Sequence, residues 1–142
     1  MALGGCFCGQ IRMEYNSPPP TSALCHCTDC RKLTGSPYTY NFVVKTTDLK
    51  IFGSPKGVAK TSDSRNAIKN FFCSDCGTSL FGHKVKSDGQ PEETTIIRAG
   101  IFDDINFLNE MKPQLEIYTE RRLEWLSPIE GVTQVVGMFE GS

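Results

Sequence analysis

From Gln10 to Tyr15 the chain alternates strictly, with Ile11, Met13 and Tyr15 apolar and Gln10, Arg12 and Glu14 polar. A period of two puts one set of side chains on each face of a strand, so this segment reads as a half-buried β-strand. Similar short runs, set off by Gly, Pro, Asn and Asp, predict strands over Tyr38–Lys45, Leu49–Phe52, Val58–Thr61, Ser79–Val85, Thr94–Ile101 and Gln114–Tyr118. Ala67 to Cys73 sets Ala67, Lys69 and Phe71 against Ile68, Asn70 and Phe72, and predicts one more. Helical signals are few. Thr28–Leu33 is a short candidate, with Thr28 as its cap and Gly35 as its stop, and Phe107–Met111 and Glu120–Leu126 are two others. The expected fold is mainly β, built of antiparallel sheets with a few short helices. Pro18-Pro19-Pro20 reads as a rigid local loop, and no repeat or linker divides residues 1–142, so one domain is expected.

Composition changes this picture little but narrows the function. At 142 residues and 39% hydrophobic, the chain can bury a core without help from metals. A formal net charge of −1, with no basic face or tail, argues against nucleic acid and membrane surfaces as partners. The first residues lack the charged and apolar regions of a signal peptide, and no run of about 18 apolar residues is present. A soluble, cytoplasmic protein is expected. The sequence carries no signal for oligomeric state.

The seven cysteines carry the chemistry. They fall in three tight groups: Cys6 and Cys8, then Cys25, Cys27 and Cys30, then Cys73 and Cys76. Scattered core thiols would not cluster this way, and an odd count in a reducing compartment argues against disulfides. Metal ligation explains the spacing. Cys73-Ser-Asp-Cys76-Gly77 is a knuckle that aims two sulfurs at one ion, its glycine permitting the positive φ of the turn. Cys6-Phe-Cys8-Gly9 has the same trailing glycine, and the two pairs together offer four thiolates, a closed tetrahedral zinc site. Cys25-His-Cys27-Thr-Asp-Cys30 offers three, the pattern of a zinc site with an open position. His26 and Asp29 lie between ligands, where side chains tend to point away, and His83 arriving from afar is the remaining way to close the site. Zinc on three thiolates keeps a formal charge of −1, which favours a thiol as fourth ligand over a carboxylate.

Gly-Gly-Cys6-Phe-Cys8-Gly, Cys25-His-Cys27-Thr-Asp-Cys30-Arg, Phe-Cys73-Ser-Asp-Cys76-Gly-Thr and Ile97-Arg-Ala-Gly-Ile-Phe-Asp-Asp resemble the glutathione-dependent formaldehyde-activating enzyme family, whose domain is shared with centromere protein V. Tyr118, Arg121, Trp125 and Leu126 are similar to the family's C-terminal segment. The resemblance implies an Mss4-like β-tent, a structural zinc on Cys6, Cys8, Cys73 and Cys76, and a catalytic zinc on Cys25, Cys27 and Cys30. It implies a carbon–sulfur lyase that makes or splits S-(hydroxymethyl)glutathione, with glutathione as cosubstrate and a small thiol or aldehyde as partner. For the proton that must move, His26 is the first candidate and His83 the second. Arg31 and Arg98 are candidates for holding glutathione carboxylates, while Lys32 reads as a solvated charge. Pairing with Asp103 or Asp104 would explain Arg98 equally well. Phe42, Phe71, Phe72, Phe81 and Phe102 read as core, with one or two of them at the pocket. Two other functions compete: the same zinc site acting on a different small substrate, for example in a biosynthetic pathway, and a non-enzymatic zinc module that binds a protein. A chromatin role like that of centromere protein V would need a basic extension, which this chain lacks.

Overall fold

The structure is a computed structural model and describes residues 1–16, 20–61 and 67–138. Pro18 and Pro19 of the proline loop lie outside the described residues, and Pro20 is buried. The strands are Ala2–Gly5 (β1), Arg12–Tyr15 (β2), Thr21–Cys25 (β3), Thr39–Lys45 (β4), Leu49–Phe52 (β5), Lys56–Thr61 (β6), Ala67–Phe72 (β7), Ser79–Lys84 (β8), Thr94–Arg98 (β9), Leu115–Ile117 (β10) and Thr133–Gln134 (β11). The helices are Thr28–Thr34 (α1) and Ile105–Glu110 (α2), with three single 3-10 turns besides. The protein is mainly β, as its periodicity predicts.

Two sheets form. The smaller has the order β1-β2-β5, and the larger runs β11-β10-β3-β4-β9-β8-β7-β6. Pairing is antiparallel except that β10 lies parallel to both β3 and β11, which departs from the wholly antiparallel expectation. The main core lies where Ile11, Met13 and Tyr15, the apolar set of the first strand, meet Phe42, Val44, Leu80, Ile97 and Phe102. Phe107 from α2 closes it edge-on against Phe42 and Phe102, at centroid distances of 5.5 and 5.4 Å. Alternation then decides what faces the other way. Phe42 and Val44 of β4 and Ile97 of β9 point into this core, while Asn41, Val43, Ile96 and Arg98 line a cavity. The larger sheet therefore has a packed face and a face that holds a site.

Several boundaries differ from expectation for identifiable reasons. α1 is capped by Cys27, whose sulfur accepts from the Cys30 N–H, and not by Thr28; Gly35 stops it in the left-handed region at φ 70°. α2 begins two residues earlier than Phe107 because the Asp104 carboxylate caps it through the Asn106 N–H. The helix expected over Glu120–Leu126 is a single 3-10 turn at Thr119–Arg121. So short a segment cannot hold a helix alone, and its side chains are drawn off instead, Arg122 toward Glu116 and Gln134. β1, β3 and β11 have no alternating signal: β3 is buried at four of its five positions, and β11 is two residues long. Of the five phenylalanines none lines the cavity; Phe42, Phe81 and Phe102 are buried in the core, and Phe71 stacks on Phe81 at 4.6 Å.

Candidate metal centres

Cys6 and Cys8 sit in the turn between β1 and β2, and Cys73 and Cys76 in the turn between β7 and β8. The two turns share one construction. The N–H of Gly9 donates to the Cys6 carbonyl, and that of Gly77 to the Cys73 carbonyl, with φ of 86° and 82° at the glycines. An L side chain rarely adopts that conformation, which is why a glycine follows each pair. The four sulfurs lie within 4.8 Å of one another, Cys6 to Cys8 at 3.6 Å and Cys8 to Cys73 at 3.7 Å. A tetrahedron with metal–sulfur bonds of about 2.3 Å has edges of about 3.8 Å, so the spacing fits a zinc-sized ion. It is far from the roughly 2.05 Å of a disulfide, and all seven cysteines are free. Neutral donors surround these sulfurs: the Ile11 N–H reaches Cys6 Sγ at 3.2 Å, and the Thr78 hydroxyl lies 3.1 Å from Cys76 Sγ. The Thr78 hydroxyl and N–H draw the Cys76 thiol down to about 6. Thr78 also accepts from the Phe7 N–H, which ties the two turns together.

The second group is built from one strand end and one helix start. Cys25 closes β3 between β10 and β4, Cys27 caps α1, and Cys30 lies one turn into it. All three are buried, with sulfurs within 4.8 Å of one another. No fourth Cys, His, Asp or Glu joins them among the described residues. Cys30 Sγ accepts from Asn41 Nδ2 and from Arg98 Nη1, both at 3.8 Å. Hydrogen bonds from the Cys25 and Cys27 thiols, with the Arg98 charge beside them, pull the Cys30 thiol far below its ordinary value. Cys25 is pushed the opposite way by the same hydrogen-bonded sulfurs and by burial. The Arg98 guanidinium beside Cys30 favours the thiolate form of that sulfur.

The three cysteines form part of the wall of a cavity of about 160 Å³. Its apolar wall comes from Leu33, Val43, Ile68, Ile96 and Ile117, and its polar wall includes Asp29, Asn41, Asn70, His83, Lys84 and Arg98. The four-cysteine group takes no part in it. One group is a complete set of four, with Cys6 and Cys73 buried and Cys8 at the surface, and the other opens onto a pocket.

The remaining sequence candidates separate clearly. His26, ranked first for proton transfer, is 2% exposed and is not in the cavity wall. Its neighbours Cys25 and Cys27 turn their sulfurs one way and its ring goes the other, where Nε2 meets Glu116 Oε1 at 2.8 Å. Glu116 Oε2 accepts from the Ile129 N–H at 2.9 Å and from Gln134 Nε2 at 2.7 Å. His26 therefore braces the cysteine loop against the C-terminal segment. His83 does reach the cavity, its ring 5.2 Å from that of Phe71, and its Nδ1 is buried with no hydrogen-bond partner among the described residues. Arg31 is exposed and outside the cavity. Arg98 lines the cavity but does not pair with Asp103 or Asp104: Asp103 holds Arg12 at 2.6 Å and Asp104 caps α2. The contact of Arg98 and Asn41 with Cys30 escaped sequence reasoning. Its only trace there is an amide and a charge set beside short apolar runs, Asn41 before Phe42-Val43-Val44 and Arg98 after Ile96-Ile97.

Among the described residues no helix is long and apolar enough to cross a membrane. No curated protein matches the chain. A crystal structure of a Rhodobacter sphaeroides protein, a structural-genomics target, superposes with a TM-score of 0.52 at 19% identity, covering 94% of this chain and 98% of that one. A likeness at that identity carries the fold alone. The family model described as glutathione-dependent formaldehyde-activating enzyme matches residues 1–121, a stretch that includes all seven cysteines.

Proposed function

We propose that this chain, which belongs to the glutathione-dependent formaldehyde-activating enzyme family, is a zinc-dependent carbon–sulfur lyase that makes or splits an adduct of glutathione with an aldehyde, such as S-(hydroxymethyl)glutathione. The observation that carries this reading is the placement of an incomplete, three-sulfur ligand set in the wall of a cavity, with a complete four-sulfur set kept apart from it. Zinc on three thiolates supplies Lewis acidity and one open position for a substrate sulfur or oxygen. The chain's own residues supply the rest. Leu33, Val43, Ile68, Ile96 and Ile117 give the cavity apolar walls that limit water around the reacting carbon. Joining a thiol to formaldehyde forms one C–S bond, releases the thiol proton and places one proton on the former carbonyl oxygen. The reverse reaction moves the same proton back. A single base in the cavity can carry it both ways, and His83 is the histidine that faces the cavity.

The test is the catalysed exchange between formaldehyde, glutathione and their adduct, followed by NMR above the spontaneous rate. His83→Gln should keep its metal content and lose about a hundredfold or more in turnover. If the zinc-loaded protein gives no acceleration over the uncatalysed exchange, the glutathione reading fails. A second reading, the same site acting on another small thiol or aldehyde adduct, draws support from the charges. Arg31 lies outside the cavity and Arg98 is engaged with Cys30 and Asn41, which leaves Lys84 and His83 as the other basic side chains of the described wall. Exchange with small uncharged thiols but not with glutathione would select it.

A further inference from the structure

Arg98 carries a charge into a place where charge is costly. It is 9% exposed, yet among the described residues no carboxylate comes within ion-pair distance of it. A buried guanidinium needs a counter-charge or a full set of acceptors. Its acceptors are Asn41 Oδ1 at 3.0 Å and Ser79 Oγ at 3.3 Å, both neutral, and Cys30 Sγ at 3.8 Å. Among the described residues, Cys30 Sγ is the one of these acceptors that can carry a negative charge. The four-cysteine group offers a contrast within the same chain, because the sulfur contacts there come from a backbone N–H and a hydroxyl. A closed site of four thiolates accepts no further ligand, so no incoming anion has to be accommodated there.

We infer that Arg98 is the fixed counter-ion of the three-cysteine centre, a positioning residue that acts through Cys30 and Asn41 to let the centre take an anionic fourth ligand. This rests on the metal-dependent reading given above. Zinc on three thiolates has a formal charge of −1, and the guanidinium brings the assembly to zero. A substrate thiolate then meets a neutral centre and not an anionic one. The role differs from anchoring a substrate carboxylate, which would require the guanidinium to be free.

Cobalt(II) tests the idea without turnover, because its thiolate charge-transfer bands report both loading and a fourth sulfur. The full chain is loaded with Co²⁺, titrated against a chelator, and then titrated with 2-mercaptoethanol. The unsubstituted protein should bind two equivalents and gain charge-transfer absorbance as the thiol adds. Arg98→Met should weaken one of the two cobalt sites by about 10–100-fold and leave the other unchanged. Its remaining affinity for 2-mercaptoethanol should fall at least about tenfold, the scale of losing a unit charge nearby. Arg98→Lys keeps the charge and should recover most of the thiol binding. Asn41→Asp is nearly isosteric and gives the guanidinium a carboxylate to pair with, so it should act like Arg98→Met even if that variant folds poorly. Unchanged cobalt affinity and thiol binding in these variants overturns the counter-ion role and leaves the metal reading standing. So does an Arg98→Lys variant as impaired as Arg98→Met, since shape and not charge would then matter. If the unsubstituted protein binds one cobalt only, the metal-dependent reading falls and takes this inference with it; two bound cobalt ions with no response to thiol leave that reading standing and overturn the inference, since the centre then takes no anionic sulfur.

Discussion

Cys73→Ser and Cys27→Ser remove chemically identical ligands, and the structure predicts that they damage the protein differently. Cys73 is 1% exposed and packs in the main core. The ion it helps to hold bridges two turns 65 positions apart, one belonging to the three-stranded sheet and one to the eight-stranded sheet. Cys25 and Cys30, the outer ligands of the second group, are five positions apart and already held by β3 and α1. Loop-closure entropy rises as three-halves RT times the logarithm of loop length, so the longer bridge is worth about 2.3 kcal/mol more. Losing the four-cysteine ion also leaves the buried Cys6 and the half-buried Cys76 without their shared partner, which adds to the difference. Cys73→Ser should therefore melt roughly 5–10 °C below Cys27→Ser, lose one metal per chain and be the more readily proteolysed. Cys27→Ser should fold, keep one metal and lose turnover. Paired calorimetry and metal analysis of the two variants decide the matter. If Cys27→Ser melts as low as Cys73→Ser, or if Cys73→Ser is stable with both metals bound, the assignment of one structural and one open centre is wrong.

Burial alone would raise the Glu116 carboxyl, but hydrogen bonds from Gln134, the Ile129 N–H and His26, with the charge of Arg122, hold it at about 2 against an ordinary 4.5. A depressed carboxyl contributes stability that is present above pH 4.5 and lost as the pH falls toward 2, here on the order of 3 kcal/mol at most. Urea unfolding should show Glu116→Gln less stable than the unsubstituted protein at pH 7, with the gap closing between pH 4.5 and 2; a gap that persists at pH 2 would contradict the assignment. Arg31→Ala should leave thiol binding and melting temperature nearly unchanged, within about 0.5 kcal/mol, because Arg31 is exposed and outside the cavity. A tenfold loss of glutathione affinity in that variant would return Arg31 to the site.

What the sequence determined by itself was whatever depends on neighbours a few residues apart. The alternation at Ile11, Met13 and Tyr15 marked a strand face that does lie in the core, and the glycines after Cys8 and Cys76 marked turns that do take positive φ. Cysteine spacing foretold two groups of four and three, and the sulfurs gather in those sets. That His26 would face away from its flanking cysteines also followed from local geometry, though the sequence could not say what it would meet. Tertiary structure alone decided the rest. Glu116 reaches His26 across 90 positions, and Arg98 reaches Cys30 across 68. Such contacts come from sheet order, in which β10 lies beside β3 and β9 beside β4, and no local pattern encodes which strand becomes whose neighbour. The ranking of the two histidines changed for the same reason. Proximity in the chain favoured His26, whereas access to the cavity is a property of a sheet face, and the pairing of β8 with β7 and β9 gives it to His83.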